Sequence, residues 1–381
     1  MNSATLKNSY RSLLAICGGL VLVLTLNHQT AFSQAKAPET LNNTSKKSAD
    51  DTVSRWQSNP AELKKALGEE NQIDQFTVQE FAWMDNERNR RVPAKLYWPN
   101  KAALAPAHKT QLLVFSHGLG GSRDGYSYIG RYLAQNGIAS LHLQHVGSDR
   151  AIWSAPVFEI PYQLKQAARD EEAINRAKDF QFGLTQLLNL PSYAQAINPQ
   201  NIAAAGHSYG ANTTLLVSGA VVERDGVAIS LKDPRVKMAV VMSSPPFYGA
   251  DTESTKKILS SITIPTLHIT ATEDVITVPG YYSKASDRIQ IFENMNHSAK
   301  NLVVFKEGSH NIFSDRLLTG GKELNPLVKK ASRDLILSFI QNQGDPTLLE
   351  KNQIWQSWSK QYESLLARSS WAPTTQATAQ K

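Results

Sequence analysis

The feature that most constrains the fold of this chain is the pentapeptide Gly206-His207-Ser208-Tyr209-Gly210. An apolar run, Ile202 to Ala205, precedes it, and a helix-compatible run, Ala211 to Val217, follows it. Strand, sharp turn and helix is the context in which the serine of G-x-S-x-G becomes a nucleophile. The turn is so tight that a Cβ at Gly206 or Gly210 would crowd the neighbouring strand or helix, while Ser208 is held strained with its hydroxyl exposed. A pattern with three fixed positions also arises by chance. Its meaning therefore rests on whether the chain supplies a base and an acid in matching places.

Apolar or alternating runs predict eight strands: Phe76 to Trp83, Val92 to Trp98, Gln111 to Ser116, Ile138 to Leu143, Ile202 to Ala205, Lys237 to Met242, Thr266 to Thr270 and Leu302 to Phe305. The first two read as a hairpin around Asn86 to Arg90. Helical patterns separate the later six, among them Tyr126 to Gln135, Ala168 to Leu188 and Asn212 to Val221. Strands alternating with helices imply an α/β fold with a mainly parallel sheet covered on both faces. In such sheets reactive groups gather beyond the carboxyl ends of the strands. An amphipathic segment near Pro60 to Leu67 precedes the first strand. Leu324 to Gln341 and Pro346 to Ala367 read as helical, and Ser369 to Lys381 as a loose tail.

A serine hydroxyl is a poor nucleophile at neutral pH and needs a base, which in turn needs an acid to orient it. The order expected on such a scaffold is nucleophile, acid, histidine. Ala271-Thr272-Glu273-Asp274 follows the strand ending at Thr270, and Lys306-Glu307-Gly308-Ser309-His310 follows the strand ending at Phe305. Asp274 is the first choice of acid and His310 of base. Glu273 is the reserve acid, because neighbouring residues at a strand end point in opposite directions. Taken singly, His310 reads equally well as a surface-loop histidine and Asp274 as a turn or cap carboxylate; the order and the strand-end positions speak for the pair. His28 falls in the N-terminal signal region, His108 precedes the nucleophile, and His297 precedes the last strand, at the wrong end of the sheet.

Acyl transfer develops negative charge on a carbonyl oxygen, which fixed backbone N–H groups stabilise. Tyr209, directly after the nucleophile, is expected to give one donor. Leu119, in Ser116-His117-Gly118-Leu119-Gly120-Gly121-Ser122, is nominated for the other. That glycine-rich loop lacks the Gly-Lys-Ser/Thr and G-x-G-x-x-G signatures of nucleotide binding. His142 and His145 are two histidines without a carboxylate or cysteine cluster, so they are expected to shape the pocket or satisfy loop carbonyls and no metal is assigned. Trp153 to Gln166 and Glu223 to Asp233 are expected to line or cover the pocket, with Trp153, Phe158, Tyr162 and Tyr248 as candidate apolar walls.

Lys7 and Arg11, an apolar stretch from Leu13 to Leu26 and Ala31-Phe32-Ser33 together read as a cleavable signal peptide over residues 1–33. The stretch is short of the roughly 20 residues of a spanning helix, so no stable membrane span is expected after processing. Secretion or a periplasmic location follows. Cys17 is the sole cysteine, which excludes a mature cysteine nucleophile or thiolate metal site. Net charge falls from +7 to +5 once Lys7 and Arg11 are removed, with basic residues scattered, so nucleic-acid binding is not expected. The domain reading is 1–33 signal peptide, 34–70 flexible leader and short helix, 71–345 catalytic domain, and 346–381 C-terminal helix and tail.

These segments together resemble the α/β-hydrolase superfamily, and within it the platelet-activating-factor acetylhydrolases and dienelactone-hydrolase-like esterases. The resemblance is carried by Phe115 to Arg123, His145 to Asp149, Gly206 to Gly210, the loops holding Asp274 and His310, and Arg90 to Pro99. It implies an α/β-hydrolase fold with an eight-stranded sheet and a serine carboxylesterase that needs no cofactor. Short acyl or acetyl esters, of small molecules or lipids, are the implied substrates. Dienelactone hydrolases proper use a cysteine, and Ser208 stands in its place here. An amide hydrolase of the peptidase type uses the same triad, and a catalytically silent binding protein shares the scaffold. Dehalogenation needs a carboxylate at the elbow, where this chain has Ser208.

Overall fold

The alternation of apolar runs with helical ones resolves, in a computed structural model, into a nine-stranded sheet. The structure describes residues 60–71, 73–100, 109–278, 280–297, 299–316, 319, 321–345 and 353–370. The expected signal peptide and most of the leader lie outside them, as does the tail from residue 371. All described residues fall within one unit, Arg55–Lys381.

The strands are β1 (Phe76–Asp85), β2 (Arg90–Pro99), β3 (Thr110–Ser116), β4 (Ala139–Leu143), β5 (Ile197–His207), β6 (Val221–Arg224), β7 (Val227–Ser230), β8 (Met238–Met242), β9 (Thr266–Glu273), β10 (Ile276–Val278), β11 (Tyr281–Ser283), β12 (Lys300–Ser309) and β13 (Leu366–Ser369). The central sheet runs β1-β2-β4-β3-β5-β8-β9-β12-β13, and the pairs β6-β7 and β10-β11 stand apart as hairpins. β4, β3, β5, β8, β9 and β12 are mutually parallel. β1, β2 and β13 run antiparallel at the flanks. All eight predicted strands are present.

Alternation within each strand builds two cores. Leu113, Phe115, Ala203, Ala205, Val240 and Ile269 face one side with the helices Ser127–Gln135 and Gly321–Gln341. Leu112, Val114, Ile202, Ala204, Ala239 and Val241 face the other with Asp170–Leu188 and Tyr209–Ser218. Burial on both faces is why these strands read as nearly continuous apolar runs. Neither β6-β7 nor β10-β11 was foreseen, and the helix expected over Asn212 to Val221 ends instead at Ser218, where Gly219 takes φ 124°.

The C-terminal segment corrects a further expectation. The helix stops at Tyr362, and Leu366–Ser369 pairs with β12 where a helix running to Ala367 was expected. A strand edge presents unpaired N–H and C=O groups, and a neighbouring extended segment satisfies them whatever its own propensity. The preceding helix, Gln353–Tyr362, anchors this strand: Trp355, Trp358 and Tyr362 join the core under the sheet, and the Trp358 indole N–H donates to the Ala331 carbonyl at 2.6 Å.

Trp358→Ala is expected to lower unfolding stability by about 3–5 kcal/mol, through a large cavity and the loss of its indole hydrogen bond. Denaturant titration checks this, with Phe158→Ala, at an exposed position, as a control that changes stability by less than about 0.5 kcal/mol.

Candidate active site

Ser208 follows β5, Asp274 follows β9 and His310 follows β12, each at the carboxyl end of a parallel strand. Ser208 has φ 56° and ψ −124°, a conformation that costs a residue with a side chain about 1–3 kcal/mol and persists only where the surroundings impose it. The surroundings here are backbone. A Cβ at Gly206 would run into the Gly210 carbonyl, and one at Gly210 into the Ser116 carbonyl at the end of β3. The Ser208 N–H donates to Met242 O at 2.9 Å, which ties the turn to β8.

His310 Nε2 lies 2.8 Å from Ser208 Oγ, and His310 Nδ1 lies 2.6 Å from Asp274 Oδ1. Asp274 is buried, while Glu273, the reserve acid, is exposed. Two residues that local sequence gave no reason to single out hold the Asp274 carboxylate: Thr270 donates to Oδ2 at 2.7 Å and Arg288 Nε approaches Oδ1 at 3.4 Å. Burial by itself would raise the Asp274 pKa. The charge and hydrogen bond of His310 and the charge of Arg288 outweigh burial and hold the carboxyl well below the usual carboxylate range. Asp274 is therefore ionised at every pH where the protein would work.

The glycine-rich loop lies directly on Ser208: a Cβ added at Gly118 would be 3.2 Å from Ser208 Cβ. The N–H groups of Leu119 and Tyr209, the two nominated donors, bond to no carbonyl among the described residues. Both remain free to meet a developing oxyanion. The loop is fastened from behind by Gly120 N–H to Ser148 O at 2.9 Å and Trp153 Nε1–H to Gly120 O at 2.7 Å. Trp153 and Leu119 join Ile160 and Val278 in a small apolar cluster beside the site. Phe158 and Tyr162, expected as pocket walls, are instead 82% and 61% exposed. They sit on a short segment whose inward face is taken by Leu164 and Ala167. Tyr248 donates its hydroxyl to Tyr281 O in the β10-β11 hairpin at 2.7 Å.

A buried polar scaffold supports the loop. His117 Nε2 accepts from His145 N–H at 3.0 Å, so its Nδ1 carries the proton, 2.7 Å from Gly118 O. His145 lies 3.2 Å from Asp179 and 3.0 Å from Ser116 Oγ. Burial, then the charge of Arg176, pushes both imidazoles well below their ordinary pKa, and they are neutral. His142 bonds Ser140 Oγ and the Gly125 carbonyl. Arg176, fully buried, donates to Thr213 Oγ1 at 3.0 Å, to Ser148 Oγ at 2.8 Å and to His117 O, and covers the Tyr209 ring. Burial pushes its pKa down to about 10 against the pull of Tyr209, Glu172 and Asp179, so it stays charged at neutral pH. Arg176 was not singled out from the sequence because its partners come from three separate segments.

Strand order, elbow and the strand-end positions of acid and histidine are those of the α/β-hydrolase fold. Residues 73–181 match the family described as platelet-activating factor acetylhydrolase, isoform II, a match that ends before Ser208. No curated protein matches the sequence. Among solved structures, an acylaminoacyl peptidase of Pyrococcus horikoshii (orthorhombic crystal form) is similar, with 12% identity and a TM-score of 0.49, over 71% of this chain. This chain spans 42% of the length of that peptidase.

Gly210→Ala is expected to cost about 3 kcal/mol or more, because the backbone it would strike cannot yield. Gly125→Ala, whose Cβ would meet Ser122 O at 3.4 Å, is expected to be tolerated. Thermal melts of the two variants check the difference.

Proposed function

We propose that this chain is a serine hydrolase that cleaves carboxylic esters through an acyl-enzyme. The observation that carries the reading is the position of His310, within hydrogen-bond reach of both Ser208 Oγ and Asp274 at 2.8 and 2.6 Å. In the first half-reaction Ser208 Oγ attacks the ester carbonyl while its proton passes to His310 Nε2. The Asp274 carboxylate holds the imidazole in the tautomer with Nδ1–H and offsets the positive charge it acquires. The tetrahedral oxygen is received by the Leu119 and Tyr209 amides, where one donor is worth about 2.7–4 kcal/mol. His310 then gives its proton to the departing alkoxide, and the acyl group stays on Ser208. In the second half-reaction water replaces the alcohol and the acid leaves.

Esters are favoured over amides by the likeness of residues 73–181 to an acetylhydrolase family. The same likeness favours acetyl or other short acyl groups. We further propose export by the N-terminal signal at residues 1–33. Sequencing the N-terminus of protein recovered outside the cytoplasm tests it: a start near residue 34 is expected, and an intact Met1 would refute it.

Purified protein is expected to form a covalent fluorophosphonate adduct on Ser208 and to hydrolyse p-nitrophenyl acetate. Ser208→Ala should lose the adduct and lower kcat by about 10⁴-fold or more, and Asp274→Asn by roughly 10³–10⁴-fold. Full turnover in Ser208→Ala would sink the mechanism. Assay against esters of increasing acyl length and against aminoacyl amides tests the substrate: rates should fall beyond short acyl chains, and faster amide than ester cleavage would replace the esterase reading by a peptidase one.

A further inference from the structure

The sheet itself does not hold His310 against Ser208. β8 and β9 lie between β5, which carries the serine, and β12, which carries the histidine. Three strand spacings amount to roughly 14 Å. The chain after Phe305 returns across that gap: the β12-β9 register breaks between Phe305 and Ser309, and Glu307 and Gly308 take φ 60° and 84°. Ladder pairing reaches Ser309, opposite Glu273 on β9, and no further. Another contact must set the last step to β5.

His207, the residue before the nucleophile, makes that contact. Its Nε2 lies 2.9 Å from the His310 main-chain carbonyl. Its ring packs 4.8 Å from the His310 ring, centroid to centroid, and 6.0 Å from Phe313. On the other side, His207 Nδ1 lies 2.8 Å from the Tyr126 hydroxyl. A carbonyl oxygen only accepts, so Nε2 must carry the proton. Nδ1 is then a bare acceptor, and the Tyr126 O–H donates to it. Burial keeps the ring neutral by pushing its pKa down to about 3, so this tautomer persists at any working pH. Tyr126 itself stands at φ 57°, just before the helix Ser127–Gln135, a strained backbone that the fold imposes at this hydroxyl.

We propose that His207 and Tyr126 are positioning residues for the base: the Tyr126 hydroxyl holds the His207 ring, and His207 Nε2–H holds the His310 main chain so that the imidazole stands against Ser208. The inference rests on the reading of Ser208 and His310 as nucleophile and base. It assigns a role to the position between Gly206 and Ser208 that the elbow geometry alone leaves open. Without the hydroxyl, Nδ1 is left as a buried acceptor with no donor, and the ring loses the hydrogen bond that steadies Nε2–H against the His310 carbonyl.

The test is ester turnover by the full chain carrying Tyr126→Phe, alone and together with His310→Ala. Tyr126→Phe is expected to lower kcat about ten- to a hundredfold with KM unchanged, since displacement of a catalytic group by about 1 Å has that effect. In the His310→Ala background it should lower the residual rate no further. A wild-type kcat in Tyr126→Phe, or an equal loss in both backgrounds, overturns the proposal. His207→Gln keeps an N–H donor near the Nε2 position and is expected to retain more kcat than His207→Leu; equal losses also overturn it. Absence of a fluorophosphonate adduct on wild-type Ser208 is a separate result, which removes the hydrolase reading on which the inference stands.

Discussion

Everything at this site depends on how closely the backbone at Gly206 and Gly210 approaches the end of β3. The glycines leave no room for a Cβ against the Ser116 carbonyl or against one another. That contact forces Ser208 into its strained conformation and presents its hydroxyl beyond the sheet. It also brings the start of the His117–Gly121 loop against Ser208, because β3 and β5 are neighbours in the sheet. One steric constraint therefore places both the Ser208 hydroxyl and the glycine-rich loop beside it.

The cost of that arrangement falls on the polar groups beneath it. Arg176, Asp179, His117 and His145 are buried, as are Ser116 and Ser148. A buried charge is tolerable only when paired and hydrogen-bonded. Arg88 and Arg90 pair with Asp179, Arg90 with Glu172, and Arg176 spends its donors on the loop and on the helix after the elbow. The cluster thus joins the N-terminal hairpin, the loop and the long helix Asp170–Leu188. His117, His142 and His145 pair with serine, carboxylate and carbonyl partners and so form part of this frame.

Local pattern revealed what depends on short-range steric and apolar periodicity. The eight strands, the elbow glycines and the order of serine, acid and histidine were legible because each is a property of a few consecutive residues. β13 was not, because Leu366 to Ser369 is extended only by virtue of the edge that β12 offers it. The choice between Glu273 and Asp274 was not, because it turns on which side chain faces a histidine 36 residues away. Phe158, in a turn, and Tyr162, on the short helix after it, are exposed, because aromatic character does not say which side of a segment is covered. Thr270, Arg288, Arg176 and Tyr126 carried no local signature, each owing its place to partners distant in the chain.

By itself the sequence determined that Ser208 sits on a tight strand-to-helix turn in an alternating α/β chain, because glycine spacing and hydrophobic period are local and need no partner. The tertiary structure decided which carboxylate lies against His310, how Arg176 joins the His117 loop to the helix after the elbow, and how His310 crosses two strands to reach the serine. Those are distances between segments, set by strand order and buried hydrogen bonds. The residue His207 shows the difference most plainly. In the sequence it is the free position of a motif, and in the fold it is the hydrogen bond between the strand that leads to Ser208 and the main chain of His310.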